Sequence, residues 1–341
     1  MPLKAGSEWV ARGQSWATGA MPRLTVLYYE QIPADVERIV RSEVPPEVQL
    51  LTLGPNESRA STVKLERADC LLVADGQLGE ATFAQAPRLR HIQHQGVGYD
   101  NIDVAAAHRR GISVALTPEG TTRGVAEHTL LLILALYKHL CVADRALREG
   151  QWLRWELRPT SWELGGKTVG IVGFGRIGRA VAQRIRAFEA DVIYTDIVRA
   201  PTSIEEDLAA RYVTFDELLA SADVVTVHVP MNADSRHLVG RAQLERMQPH
   251  AILINTSRGG LVDEKALHDA LTDGLIAAAG LDVFEPEPPS TDNPLWQLPN
   301  VVVTPHIAAG SADALREKMR AAFANIQRAA RGEPLAHQVE I

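Results

Sequence analysis

With 341 residues, 46% of them hydrophobic, the chain is long enough for two domains that each bury a core. Its 42 acidic residues against 35 basic ones leave a formal net charge of -7, and no block of consecutive Lys or Arg stands out, which disfavours nucleic acid or an anionic membrane as a partner. The longest apolar run, Leu130 to Tyr137, falls far short of the ~20 residues that a membrane-spanning helix requires and reads as a buried helix.

Residues 1–21 scatter Lys4, Glu8 and Arg12 among Gly, Ser and Trp, without the apolar centre of a signal peptide, and read as a poorly ordered tail. Short apolar runs then recur between amphipathic stretches, the pattern of parallel strands joined by helical crossovers, so the fold class is doubly wound α/β. The first set of predicted strands is Leu24 to Tyr29, Val48 to Leu51, Cys70 to Val73, His91 to His94 and Ser113 to Ala115. Thr122 to Glu149 has no Pro and one early Gly, which predicts a single long helix ending at Gly150 and joining two domains. The pattern restarts with Thr168 to Val172, Asp191 to Thr195, Val224 to Val229, Ala251 to Asn255, Ala277 to Val283 and Val301 to Thr304, enough strands for a complete dinucleotide-binding sheet. A last helix, Ala312 to Arg331, is expected to pack back on the first domain. Both cysteines, Cys70 and Cys141, lie in apolar stretches and read as buried thiols of a reducing compartment, so the chain is expected in the cytoplasm.

Gly173-Phe-Gly175-Arg-Ile-Gly178 follows the strand Thr168 to Val172 and precedes a helical stretch, Arg179 to Phe188. Gly173 suits a tight turn, Gly175 lets the backbone approach a pyrophosphate, and Gly178 lets helix and strand pack closely, with the phosphates at the helix N-terminus. Three spaced glycines alone are weak evidence. The next strand, however, ends at Asp196, eighteen residues after Gly178, where a carboxylate can accept hydrogen bonds from both ribose hydroxyls. That acid disfavours a 2'-phosphate and points to NAD, while Arg199 keeps NADP open. Gly165-Gly-Lys-Thr168 is not a P-loop, because Ser161 stands where its first glycine belongs.

Three further segments follow predicted strands, where ligands bind in open α/β sheets: Asn255-Thr-Ser-Arg258-Gly-Gly, Asp282-Val-Phe-Glu-Pro-Glu287-Pro and Thr304-Pro-His306. An imidazole suits proton transfer to and from a hydroxyl near neutral pH, a carboxylate beside it keeps it protonated, and a guanidinium offers a fork of donors to a substrate carboxylate. Spacing alone cannot choose between Glu285 and Glu287 as the carboxylate. Neither a Cys/His cluster nor a His-Glu-x-x-His pattern occurs, so no metal site is expected.

With these motifs in this order, together with Gly96-Val-Gly-Tyr-Asp-Asn-Ile-Asp103 and Val125-Ala-Glu-His128, the sequence from about Leu71 onward resembles the D-isomer-specific 2-hydroxyacid dehydrogenases. The resemblance implies a Rossmann NAD-binding domain, residues 121–304, inserted in a flavodoxin-like substrate domain, residues 22–120 and 305–341. It implies Arg258, Glu287 and His306 as catalytic residues, the last two as the acid-base pair. Gly96, Val97 and Gly98 would bind the substrate together with Arg258 and His306. Gly173, Gly175, Arg176, Ile177, Gly178, Asp196, Val229, Pro230, Thr256, Ser257 and Asp282 would meet NAD.

The expected reaction is hydride transfer between NAD(H) and a small 2-hydroxy or 2-oxo acid such as glyoxylate or hydroxypyruvate. A homodimer through the long helix is implied too. Ala74-Asp75-Gly76 stands where phosphoglycerate dehydrogenases carry Arg-Ser, and a carboxylate there should repel a phosphate, so that activity is the alternative within the class. An NADH-responsive corepressor-like binding protein is the alternative outside it. The Glu beside the catalytic His argues against a formate dehydrogenase, and Val97 against a phosphite dehydrogenase. His91, His94 and His128 read as structural, Trp152, Trp155 and Trp162 as core residues, and Thr121 stands where the family often has Asn.

Overall fold

The computed structural model describes residues 23–59 and 62–340; the expected N-terminal tail lies outside the described residues. The chain divides into two compact units. One takes the described residues up to Glu119 and those from Leu315 on, and the other is Gly120–Ala314, so the second unit is inserted in the sequence of the first.

The first unit holds β1 (Leu24–Gln31), β2 (Val48–Leu53), β3 (Cys70–Val73), β4 (His91–His94) and β5 (Ser113–Ala115), all parallel, in the spatial order β2-β1-β3-β4-β5. That order is flavodoxin-like. Alternation along β1 serves both faces of the sheet. Leu24, Val26 and Tyr28 bury against Met319, Phe323 and Ile326, whereas Leu27 and Tyr29 join Phe83, Ile92 and Ala106 on the other side. The helix Ala312–Arg331 thus returns to the first sheet, as its stripe of apolar residues at helical spacing requires.

The second unit holds β6 (Thr168–Val172), β7 (Asp191–Thr195), β8 (Ala210–Tyr212), β9 (Val224–Val227), β10 (Ile252–Asn255), β11 (Ala278–Leu281) and β12 (Val301–Val303). They are parallel, in the order β12-β11-β10-β9-β6-β7-β8. This is the Rossmann arrangement with one added strand, and the order reverses between β6 and β9, which opens a crevice at the C-terminal ends of those strands. The sequence pattern missed β8, whose three residues include the charged Arg211.

Residues 305–314, grouped with the first sheet in the sequence reading, cluster with the second. Backbone hydrogen bonds and the Asp282 carboxylate hold them there. The expected helix from Thr122 to Glu149 is two helices, Thr122–Tyr137 and Leu140–Arg148, interrupted at His139, whose φ of 49° is left-handed. The break carries no Pro or Gly to announce it. It is held from outside, by the Trp162 amide on the Tyr137 carbonyl (2.9 Å) and by His139 Nε2 on the Thr160 carbonyl (2.8 Å).

Two expectations about the core are corrected. Cys70 is buried but Cys141 is exposed, because the short helix after His139 buries only Ala146. Trp152, Trp155 and Trp162 are not core residues either: they are 71%, 61% and 45% exposed. Arg154 and Arg158 lie over the Trp155 ring and Lys167 over that of Trp162.

Candidate functional site

The glycine loop leaves β6 through Gly173 at φ 94°, where a Cβ would lie 2.6 Å from the His228 carbonyl oxygen, and a Cβ on Gly178 would lie 2.1 Å from the carbonyl oxygen of Gly173. Neither position admits a side chain. Gly175, by contrast, faces nothing within 4 Å and is the N-cap of the helix Arg176–Arg186, with no side chain capping that end. Free amides, a helix dipole and open space form the cradle that a pyrophosphate fits. Arg176 and Ile177 open this helix, Arg176 exposed and Ile177 half-buried.

Asp196 stands directly after β7. Its Oδ2 accepts from the Phe174 amide at 2.6 Å and its Oδ1 from the Val198 amide at 3.2 Å, which ties it to the glycine loop. Each oxygen keeps acceptor capacity for a ribose hydroxyl. Val229 and Pro230 follow β9, and Thr256 and Ser257 follow β10, so these residues share one edge of the parallel sheet with the loop and Asp196. Thr256 is buried with its hydroxyl 3.1 Å from that of Thr129, and Ser257 donates to the Val227 carbonyl at 2.7 Å.

Arg258 lies after β10 in extended backbone, its own carbonyl held by Asn255 Nδ2 at 2.8 Å, and donates from Nη1 to the Ser257 carbonyl at 2.9 Å. The following Gly259 approaches so closely that a Cβ would lie 2.0 Å from the Phe284 carbonyl carbon, which brings the Arg258 loop against the loop after β11. There the structure separates the two glutamates. Glu287 Oε2 accepts from His306 Nδ1 at 2.7 Å while its Oε1 accepts from the Phe284 amide at 2.9 Å. Glu285 instead pairs with Arg236 at 2.7 Å.

His306 adopts a left-handed φ of 51°, and its amide donates to the Asp282 carbonyl at 2.8 Å. Asp282 is fully buried (0% exposed) and accepts from Thr304 Oγ1 at 2.5 Å, from the Ile307 amide at 2.9 Å and from the Ala308 amide at 2.8 Å. Because the threonine hydroxyl gives its proton to Asp282, it accepts from His128 Nε2 at 2.9 Å. Asp282, Thr304 and His128 therefore hold the His306 turn. Sequence reasoning had no signal for Thr304 or Asn255 as positioning groups, since each looks like the unremarkable polar end of an apolar strand.

The hydrogen bond that His306 donates to Glu287 raises the pKa of the imidazole, burial opposes it, and the charge of Glu287 adds to the rise while that of Arg258 reduces it. Burial works against ionisation of Glu287, yet the hydrogen bond and charge of His306, the Phe284 amide and Arg258 together bring its carboxyl below the usual range. The pair accordingly favours imidazolium and carboxylate. With Nδ1 committed to Glu287, Nε2 is the ring atom that can exchange a proton with a bound molecule.

In the first unit, Gly96, Val97 and Gly98 follow β4, half-buried. His94, read as structural, proves to link two loops: its Nδ1 accepts from the Gly96 amide at 2.9 Å and its Nε2 donates to the Ala74 carbonyl at 2.9 Å. Beside it, Glu30 Oε1 accepts from the amides of Ala74, Asp75 and Gly76 at 2.8, 3.1 and 3.1 Å. Glu30 Oε2 and Gln95 Nε2 are buried without a hydrogen-bond partner among the described residues. Thr121 Oγ1, at the position where Asn was expected, is likewise unpaired, and nothing in the structure explains the change.

Among the described residues no group of His, Cys, Asp and Glu side chains could hold a metal ion, and no helix is long and apolar enough to cross a membrane.

Residues 130–308 match the family model for the D-isomer specific 2-hydroxyacid dehydrogenase NAD binding domain. The chain is 43% identical over 253 residues to a glyoxylate reductase of Korarchaeum cryptofilum, covering 74% of this chain and 76% of that protein. It is 44% identical over 279 residues to a D-3-phosphoglycerate dehydrogenase of Archaeoglobus fulgidus, covering 82% of this chain and 52% of that one, so it spans about half the length of this longer relative. Among solved structures, a glyoxylate reductase from Paecilomyes thermophila superposes with a TM-score of 0.78 at 31% identity, over 94% of this chain and 99% of that one.

Proposed function

Because the chain belongs to the D-isomer specific 2-hydroxyacid dehydrogenase family, we propose that it transfers hydride between NAD(H) and a small 2-oxo or 2-hydroxy acid, with glyoxylate and hydroxypyruvate as the first candidates. The observation that carries this reading is the 2.7 Å contact between Glu287 and His306, in the unit that also carries Arg258 and the glycine loop. Bound NADH supplies the hydride to the 2-carbon, and NAD accepts it in the reverse direction. Arg258 holds the substrate carboxylate and polarises the 2-oxygen with its fork of donors. As hydride arrives, the C=O π electrons move onto the oxygen, which takes the proton from His306 Nε2 and leaves a neutral imidazole. Glu287 stabilises the imidazolium beforehand and keeps the ring oriented. Gly96, Val97 and Gly98 are the proposed substrate-binding residues of the first unit.

A substrate without phosphate is favoured. The three successive amides of Ala74, Asp75 and Gly76 could have cradled an anion, but Glu30 already occupies them, and Asp75 adds a negative charge. The protein acts on a small molecule in the cytoplasm, without nucleic acid or membrane. It forms a homodimer through the apolar surface that Leu131, Leu140, Leu147, Trp152 and Trp155 expose around the two helices after Gly120. Light scattering at the mass of two chains is expected, and Trp155→Arg should return it to one.

The test is NADH oxidation with glyoxylate, hydroxypyruvate, pyruvate and 3-phosphohydroxypyruvate. Turnover with one of the first three and a kcat/KM for the phosphorylated acid lower by about tenfold or more is expected. Preference for the phosphorylated acid would replace this reading by the phosphoglycerate one, and no turnover with any would reject the reaction class.

A further inference from the structure

Arg199, three residues after Asp196, is the single basic residue between Asp196 and Ala200 and would be the natural partner of a 2'-phosphate. Its guanidinium is already committed. Nε donates to Glu205 Oε1 and Nη2 to Glu205 Oε2, both at 2.9 Å, a bidentate pair. Glu205 is itself held by the Tyr194 hydroxyl at 2.7 Å, and the Tyr194 oxygen accepts from the Ala200 amide at 2.9 Å. Tyr194 stacks on Phe174 of the glycine loop with ring centroids 3.9 Å apart, so the network is anchored to the same loop that Asp196 grips.

The two partners are unequally exposed. The Glu205 side chain is 10% exposed and that of Arg199 63%. A guanidinium at the surface would lose little by turning to water, but a carboxylate in so enclosed a place would be left without its counter-charge. Arg199 and the Tyr194 hydroxyl together hold the Glu205 carboxyl down to about 2, so it stays charged at any working pH. Any 2'-phosphate that recruited Arg199 would have to strand that charge.

We propose that Glu205 is a second cofactor-selecting residue, a positioning residue that favours NAD by withholding Arg199 from a 2'-phosphate, while Asp196 repels that phosphate directly. The proposal rests on the placement of Asp196 at the ribose and is independent of which acid the protein reduces.

The experiment titrates the full chain and its variants with NADH and with NADPH, following nicotinamide fluorescence, so that turnover is not needed. Arg199→Ala should leave the ratio of the two dissociation constants within about twofold, because the side chain is already withheld. Glu205→Gln keeps the hydrogen bond to Tyr194 but loses the charge. It should tighten NADPH about tenfold, the size of one hydrogen bond between charged groups, with NADH unchanged, and adding Arg199→Ala should abolish the gain. Two results would overturn the proposal: NADPH weakened severalfold by Arg199→Ala alone, or an unchanged ratio in a Glu205→Gln protein that still binds NADH and melts as the parent does. Should Glu205→Gln fail to fold, Arg199→Ala alone decides. Asp196→Ser with an unchanged ratio would reject the ribose placement and the proposal with it, whatever the substrate panel returns.

Discussion

The C-terminal edges of the two sheets are finished in different ways. In the second unit, the polar groups around the proposed acid-base pair form closed networks, in which Asp282 takes three donors and Glu287 spans the Phe284 amide and His306, and the unpaired buried atoms of that unit, Thr121 Oγ1 and His228 Nδ1, belong to neither network. In the first unit, the loops after β3 and β4 are held through His94 and Glu30, and two buried atoms there, Glu30 Oε2 and Gln95 Nε2, stay unpaired among the described residues. A closed network holds one geometry, which proton transfer demands, and loses much when any member is removed. A loop held by several separate side chains, as Glu30, His94 and Asn101 hold the one after β3, can lose one of them with less damage. Chemistry should therefore be concentrated in the second unit and substrate tuning in the first.

That contrast can be broken most directly at His306. His306→Ala should lower kcat by about a thousandfold, within the range for loss of a general acid, with NADH binding retained in a fluorescence titration. A variant that keeps its rate would remove the proton relay. Arg258→Lys keeps the charge but not the planar fork and should lower kcat/KM about a hundredfold, whereas an unchanged value would mean that a point charge suffices.

Glu287→Gln sharpens the comparison through pH. The carboxylate raises the pKa of His306, so the reductive rate should hold below that pKa and fall as pH rises through it. Removing the charge lowers the pKa, and the fall should begin at lower pH, with kcat reduced about tenfold at neutrality. A profile that did not move would detach Glu287 from the titration. The smallest effect is expected in the first unit. His94→Ala frees the Gly96 amide and leaves the Ala74 carbonyl to Asn101 alone, and should raise KM for the oxo acid about threefold to tenfold with kcat nearly unchanged, the worth of a hydrogen bond or two. A loss as large as that of His306→Ala would erase the distinction between the units.

Much of this was legible beforehand because it is local. Eleven of the apolar runs became strands and needed only short-range alternation or continuity, and Gly173, Gly175 and Gly178 needed only their place between a strand and a helix. The resemblance supplied Arg258, Glu287 and His306 as a set, but spacing could not separate Glu287 from Glu285; two residues apart in one loop, they turn to His306 and Arg236 respectively.

What the linear chain determined was the succession of elements and the chemical kinds of side chain placed at strand ends, since periodicity and turn residues act over a few positions. Tertiary structure decided whatever depends on a partner distant in sequence. The break at His139 answers to Thr160 and Trp162, the exposure of Cys141 follows from that break, and the His306 turn is held by Asp282. Hydrogen bonds of this kind form only after the sheets have brought those residues together, so no local pattern announces them.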